Sequence, residues 1–127
     1  VQGWSLGAAT ALEVASRPPQ TYRSMVVWTA PSGDLYAGIT RADGPFGAAV
    51  EPARRDGWTK VDMGWRVLEM SHAFFESFRG YDTTAQLQRY RGAFLSIRGT
   101  GDFLPVGEPD FMRAAAGHPA EAVILGK

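Results

Sequence analysis

The hydrophobic positions of this chain fall into short apolar runs that alternate with longer Ala- and Leu-containing stretches. Three runs have the length and composition of buried strands: residues 24–29, 93–98 and 122–125. Three stretches have the composition and the end signals of helices: residues 6–17, 83–90 and 109–116. Strands that alternate with helices in this way predict an α/β fold with a parallel sheet built from βα units.

Residues 34–80 depart from this alternation and are predicted to form an inserted segment. Residues 34–60 hold six glycines and prolines, too many for a long regular element, and predict an irregular chain. Residues 62–79 carry apolar side chains at three- and four-residue spacing, from Met63 to Phe78, and Gly80 follows. This spacing predicts an amphipathic helix with a glycine at its end.

The composition excludes some classes of binding partner but does not identify a particular partner. The 127 residues include 13 basic and 13 acidic side chains without a long charge run, which argues against nucleic acid as a partner. No apolar run approaches the roughly 20 residues that a membrane span requires. The chain has no cysteine, which excludes disulfides and thiolate chemistry but leaves the compartment open.

The pentapeptide Gly3-Trp4-Ser5-Leu6-Gly7 fits the pattern G-x-S-x-G and stands directly before the helix predicted for residues 6–17. A sharp strand-to-helix turn of this kind exposes its serine above the edge of a sheet, ready to act as a nucleophile. Both glycines are predicted to be steric requirements, because a Cβ atom would meet neighbouring backbone in a tight turn. Leu6 would offer its N–H to a developing oxyanion at the amino end of the helix.

A second candidate for chemistry is Asp102, in the loop that follows the strand predicted for residues 93–98. Functional groups of open parallel sheets gather at the carboxyl ends of the strands, and Gly99 and Gly101 make this loop tight. Asp34, in the loop after the strand predicted for residues 24–29, is the alternative acid. The order serine then aspartate is the one found in the Ser-Asp-His triads of enzymes with this elbow.

With these motifs in place, the chain resembles the second half of the α/β-hydrolase core over nearly its whole length. In that resemblance the segments correspond as follows: residues 3–7 to the nucleophile elbow after strand five, 24–29 to strand six, 34–80 to the lid insertion, 93–98 to strand seven and 122–125 to strand eight. The resemblance implies a partial α/β-hydrolase core of strands five to eight. Its general character is similar to the esterase, dienelactone-hydrolase and prolyl-oligopeptidase branches.

The two histidines do not suit the catalytic base that the resemblance implies. His72 falls within the helix predicted in the lid, and His118 lies between a helix and the last strand. The resemblance therefore implies a catalytic histidine after strand eight, beyond Lys127. It also implies a second oxyanion N–H from the loop after strand three, which precedes this chain.

The resemblance predicts a serine hydrolase that acts on small carboxylic esters or related acyl substrates through an acyl-enzyme, without a cofactor or metal. Ser5 and Asp102 are the predicted catalytic residues. Aromatic side chains would line an apolar pocket, and four are predicted to bind substrate: Trp4, Trp65, Phe74 and Phe75. The alternatives are a catalytically inactive, hydrolase-like binding module, and an acyltransferase or cofactor-free haloperoxidase with the same triad.

Overall fold

The computed structural model describes residues 1–126 and divides the chain into two compact units. The first unit comprises the chain up to Gly33 and from Asp82 onward, and the second is Asp34–Tyr81. In chain order the strands are β1 (Gln2–Trp4), β2 (Ser24–Trp28), β3 (Trp58–Asp62), β4 (Val67–Ser71), β5 (Ala93–Gly99) and β6 (Ala120–Leu125). The helices are α1 (Leu6–Ser16), α2 (Leu35–Ile39), α3 (Gly47–Asp56), α4 (His72–Glu76), α5 (Thr83–Arg89) and α6 (Glu108–Ala114). No helix within the described residues is long and apolar enough to cross a membrane.

The first unit is a parallel sheet covered by helices on one face. Its strand order is β1-β2-β5-β6, and each neighbouring pair runs parallel. Successive side chains of a strand point to opposite faces, so alternate residues of β2 and β5 are enclosed beneath α1, α5 and α6. The enclosed core of this unit includes Leu12, Met25, Val27, Leu87, Tyr90, Phe94 and Phe111. The predicted α/β fold with a parallel sheet is confirmed.

The opposite face of the sheet carries exposed apolar side chains. Trp4 and Trp28 are register partners on β1 and β2, and both are exposed. Val123 and Leu125 alternate along the edge strand β6 and are exposed as well. Helices of the first unit therefore pack against only one side of its sheet.

The second unit differs from the prediction for residues 34–80. The segment predicted to be irregular contains α2 and α3, and α3 continues through Pro52. Residues 62–79 are not one helix: β3 and β4 form an antiparallel hairpin, and only the short α4 follows. Gly64 favours a turn over a continuous helix at this point. It adopts a φ of 81°, and its N–H donates to the Asp62 carboxylate at 2.8 Å.

A separate apolar core holds the second unit together. Its enclosed side chains are Ala49, Ala53, Val61, Met70 and Phe75. Within the two strands of the hairpin, Val61 of β3 and Met70 of β4 are the buried residues. The apolar residues that suggest a helix by their spacing thus divide between the turn of the hairpin, β4, α4 and the turn after α4.

Candidate active site

Ser5 occupies the single position between the end of β1 and the start of α1, in a strained backbone conformation. Its φ is 53° and its ψ is −120°, a region that residues with a Cβ atom rarely enter. Hydrogen bonds on both sides fix this turn: the Ser5 N–H donates to the Trp28 carbonyl at 2.9 Å, and the Ser5 carbonyl accepts from the Ala8 N–H at 2.9 Å. Strain of this kind persists only where surrounding structure imposes it, and it concentrates at functional sites.

The Ser5 hydroxyl is not used to cap the helix that follows. Serine at the N-cap position ordinarily accepts a hydrogen bond from an N–H of the first helical turn, but Ser5 makes no such side-chain bond. Leu6 is the first residue of α1, so its N–H has no carbonyl partner within the helix. A hydroxyl group and a backbone donor therefore stand together at the amino end of α1.

Only one of the two glycines that flank Ser5 is required by the packing of the turn. A Cβ atom on Gly3 would overlap the Gly7 carbonyl and lie 2.7 Å from the Ala8 Cα atom. A Cβ atom on Gly7 would meet no described atom within 4 Å. The prediction that both glycines are steric requirements is thus correct for Gly3 and wrong for Gly7, because a Cβ atom on Gly7 would point into open space.

Alanine substitutions at these glycines should shift stability in opposite directions. Gly3→Ala is expected to lower the free energy of unfolding by about 3 kcal/mol, because backbone atoms must move to admit the methyl group. Gly7→Ala is expected to raise it by up to about 1 kcal/mol, because alanine favours the helix over glycine. Urea unfolding of the two variants beside the parent protein measures both shifts. Equal losses would contradict the assigned geometry of the turn.

A cavity of about 540 Å³ opens where the four parallel strands of the first unit end. Its lining comes from the residues at or after the carboxyl end of each strand: Trp4, Ser5, Thr29, Gly99, Thr100, Gly101, Asp102, Phe103, Leu125 and Gly126. The carboxyl edge of an open parallel sheet is the place where such folds bind their ligands. The structure thus brings the sequence-predicted residues Ser5 and Asp102 to the same cavity.

Asp102 is held in a short loop with its carboxylate largely enclosed. The Asp102 N–H donates to the Gly99 carbonyl at 3.2 Å, and its Oδ1 atom accepts from the Leu104 N–H at 3.0 Å. Its Oδ2 atom lies 3.9 Å from the Nη1 atom of Arg98. One carboxylate oxygen is therefore fixed by the loop itself, and the other lies beside a guanidinium group.

The alternative acid, Asp34, has a structural role in the second unit. It is the N-cap of α2, and its Oδ1 atom accepts from the Ala37 N–H at 2.9 Å. Of the two histidines, His118 lies two residues before the start of β6, so it is at the amino edge of the sheet, away from the cavity. His72 begins α4 in the second unit, with its Nε2 atom 3.5 Å from the Glu76 carboxylate.

The four aromatic residues predicted to bind substrate have different surroundings. Trp4 is exposed and lines the cavity. Trp65 is exposed in the turn of the hairpin of the second unit. Phe74 is half-buried and forms a T-shaped ring contact with Phe75, which itself is enclosed in the core of that unit.

Thr29 and Phe103 are among the residues of the cavity lining that were not predicted from the sequence. Thr29 follows β2 with a φ of 53°, an unusual conformation for a β-branched residue. Phe103 follows Asp102 directly and is exposed. The rule that located Asp102, which looks for residues just after a parallel strand, would have found both.

Solved structures share this arrangement of strands and helices. The esterase domain of a Rhodothermus marinus protein matches 98% of this chain with a TM-score of 0.61 and 18% identity. Est1E from Butyrivibrio proteoclasticus matches 98% of it with a TM-score of 0.72 and 10% identity. The chain has part of an α/β-hydrolase fold. At these identities the likeness is one of fold, and it confirms the fold that the elbow and strand pattern predicted.

The match to α/β-hydrolases covers only part of their length. The chain spans 48% of the Rhodothermus esterase domain and 50% of Est1E, about half of each. A monoacylglycerol lipase from Paleococcus ferrophilus matches 98% of this chain and is itself covered to 57%, with a TM-score of 0.58 and 15% identity. No family model and no curated protein matches the sequence.

Proposed function

We propose that this chain carries the nucleophile and the acid of a serine hydrolase that acts on carboxylic esters. The observation that carries the proposal is the presence of Ser5 and Asp102 on one cavity at the carboxyl edge of the parallel sheet. The strained backbone of Ser5 and the absence of a capping hydrogen bond from its hydroxyl support a nucleophilic role. Both features lower stability, and a serine with a purely structural role would have no reason to adopt them. In this proposal the turn at Ser5 is the nucleophile elbow.

The proposed reaction is acyl transfer in two steps. The Ser5 oxygen attacks the ester carbonyl carbon while a histidine accepts the hydroxyl proton, and the N–H of Leu6 stabilises the oxyanion. The intermediate collapses, the carbon–oxygen bond to the alcohol breaks, and the histidine returns its proton to the departing alcohol. Water then attacks the acyl-enzyme in the same way and releases the carboxylic acid and free Ser5. We propose that the histidine follows β6 in the complete protein, beyond Lys127.

Asp102 is the proposed acid that orients this histidine. Its carboxylate lies at the cavity with one oxygen fixed by the Leu104 N–H, which leaves acceptor capacity on the other oxygen for an imidazole N–H. The Asp34 carboxylate, in contrast, accepts a hydrogen bond from the first turn of α2. Asp102 also follows Ser5 in the chain order that elbow-bearing hydrolases use.

The proposed substrates are esters with an apolar acyl or alcohol group. Trp4 and Phe103 are exposed at the cavity and offer aromatic surface to such a group. The same B. proteoclasticus enzyme, Est1E, is known with ferulic acid bound, and the P. ferrophilus structure is of a monoacylglycerol lipase. By the resemblance to a lid insertion, Trp65 and Phe74 of the second unit stay predicted substrate-binding residues, while Phe75 packs the core of that unit.

Pre-steady-state hydrolysis of p-nitrophenyl acetate, butyrate and octanoate by the full-length protein tests this proposal. An acyl-enzyme predicts a rapid burst of about one p-nitrophenolate per protein molecule for the ester whose deacylation is slow, followed by steady turnover. Longer acyl chains are expected to lower KM, because they bury more apolar surface at the cavity. An absence of turnover with all three esters would contradict the proposed hydrolase.

A further inference from the structure

Arg98 is a buried cation beside the loop that carries Asp102, and its hydrogen-bond partners lie on several elements. It is 1% exposed and sits on the helix-covered face of β5. Its Nε atom donates to Glu108 Oε2 at 2.7 Å, and Glu108, which begins α6, is 2% exposed. A buried ion pair is costly to desolvate and is weak evidence for stability, so its presence here calls for another explanation.

The guanidinium group of Arg98 connects the loops that follow β2 and β5. Its Nη2 atom donates to the Ala30 carbonyl at 2.7 Å, one residue after Thr29 of the cavity lining. Its Nη1 atom donates to the Leu104 carbonyl at 3.3 Å and lies 3.9 Å from Asp102 Oδ2. The planar fork of arginine is suited to holding several acceptors at once, which a lysine ammonium group is not.

Glu108, the ion-pair partner of Arg98, is itself held by hydrogen bonds. Its Oε1 atom accepts from the Ser96 hydroxyl at 3.0 Å, and its Oε2 atom accepts from the Gly107 N–H at 3.1 Å. The end of the Asp102 loop also fits tightly, because a Cβ atom on Gly107 would overlap the side chain of Ser32. Residues 99–107 are thus anchored at both ends, with Arg98 bonded to the middle of the loop.

We propose that Arg98, held by Glu108, is the positioning residue for the acid Asp102. It keeps the Asp102 carboxylate at the cavity edge by bonding the loop that carries it, and it places the Ala30 segment beside that loop. Arg98 touches no reacting atom, so it acts through Asp102. This inference rests on the proposed function, because it assigns a partner to the acid of the same site.

A double-mutant cycle on the full-length protein tests the coupling between Arg98 and Asp102. The paired change Arg98→Met/Glu108→Gln removes both buried charges together, so that no unpaired ion is left in the core. We expect it to lower kcat by about 10- to 100-fold with KM changed by less than about threefold, because the acid is displaced but binding is not. In the Asp102→Asn background, the same paired change should lower kcat by less than about threefold further, since its target is already lost.

Further variants separate positioning from a loss of folding. Arg113→Met breaks an exposed ion pair with Asp110 on the same helix, α6, and should leave kcat unchanged. Arg98→Lys keeps the charge and should retain more activity than the paired change. If the paired variant does not fold, the cycle is run with Arg98→Lys, whose smaller loss of kcat should likewise vanish in the Asp102→Asn background.

The cycle has two outcomes that would overturn the inference while leaving the proposed function intact. One is a paired variant that folds and keeps kcat within about threefold of the parent protein. The other is a paired change that lowers kcat by the same factor in the Asp102→Asn background as in the parent protein, as independent effects do. If Asp102→Asn alone leaves kcat unchanged, the proposed triad itself is wrong.

Discussion

Ser5→Ala in the full-length protein is expected to lower kcat for ester hydrolysis by about 10⁶-fold, the scale found when a triad serine is removed. The substitution removes the oxygen that forms the acyl-enzyme and leaves only substrate binding and the oxyanion donors. KM should change little, because the Ser5 hydroxyl contributes more to the transition state than to binding. Steady-state kinetics with the best p-nitrophenyl ester measures the loss, and the burst should disappear with it.

A matched control for Ser5→Ala is Ser24→Ala. Ser24 begins β2 at the amino edge of the sheet, is exposed, and lies outside the cavity lining. Its replacement is expected to leave kcat and KM unchanged. A Ser5→Ala variant that kept more than about 1% of the parent kcat would contradict the assignment of Ser5 as nucleophile.

Asp102→Asn is expected to lower kcat by about 10⁴-fold, as the loss of the carboxylate does in a Ser-His-Asp triad. Asparagine keeps an oxygen for the Leu104 N–H, so the loop can hold its shape while the negative charge disappears. The histidine then loses the group that fixes its tautomer and stabilises its protonated form. Stability should change much less than kcat, which thermal unfolding of the same variant checks.

Asp34→Asn is the comparison that decides between the two candidate acids. Asparagine is as good an N-cap as aspartate, so α2 should keep its cap and the protein its stability. We expect kcat to remain within about threefold of the parent value. A large loss from Asp34→Asn together with an unchanged Asp102→Asn would transfer the role of the acid to Asp34.

The first unit was largely predictable from the sequence because its strands and helices are marked by residues that are close together along the chain. Parallel strands that are buried in a sheet need compact apolar runs, and residues 24–29 and 93–98 show them clearly. The breaks after these runs locate the carboxyl edge of the sheet, and Asp102 follows one of them. The strand β6 begins at Ala120, two residues earlier than predicted. The prediction missed Ala120 and Glu121 because neither side chain is strongly apolar.

The second unit was not predictable in the same way. Met63, Met70, Phe74 and Phe78 recur at helical spacing, yet they lie in the hairpin turn, in β4, in α4 and in the turn after α4, in that order. The decisive signal was the turn sequence Asp62-Met63-Gly64, in which glycine accepts a positive φ and aspartate binds its N–H. Periodicity alone could not reveal it, because both β3 and β4 are short.

The burial of Arg98 and its pairing with Glu108 were not predicted from the sequence. An arginine at the end of an apolar run suggests an exposed side chain, since charged residues are almost never fully buried unless paired. Its partner Glu108 is ten residues away along the chain, and the Ala30 carbonyl belongs to another strand. Only the packed structure brings these groups together.

Covalent capture by a fluorophosphonate tests the central claim most directly. The reagent phosphonylates the activated serine of a serine hydrolase, and peptide mass spectrometry then identifies the modified residue. We expect the full-length protein to gain one adduct, located on the peptide that contains Ser5, and the Ser5→Ala variant to gain none. An adduct on a different serine, or equal labelling of the Ser5→Ala variant, would contradict the assignment of Ser5 as the nucleophile.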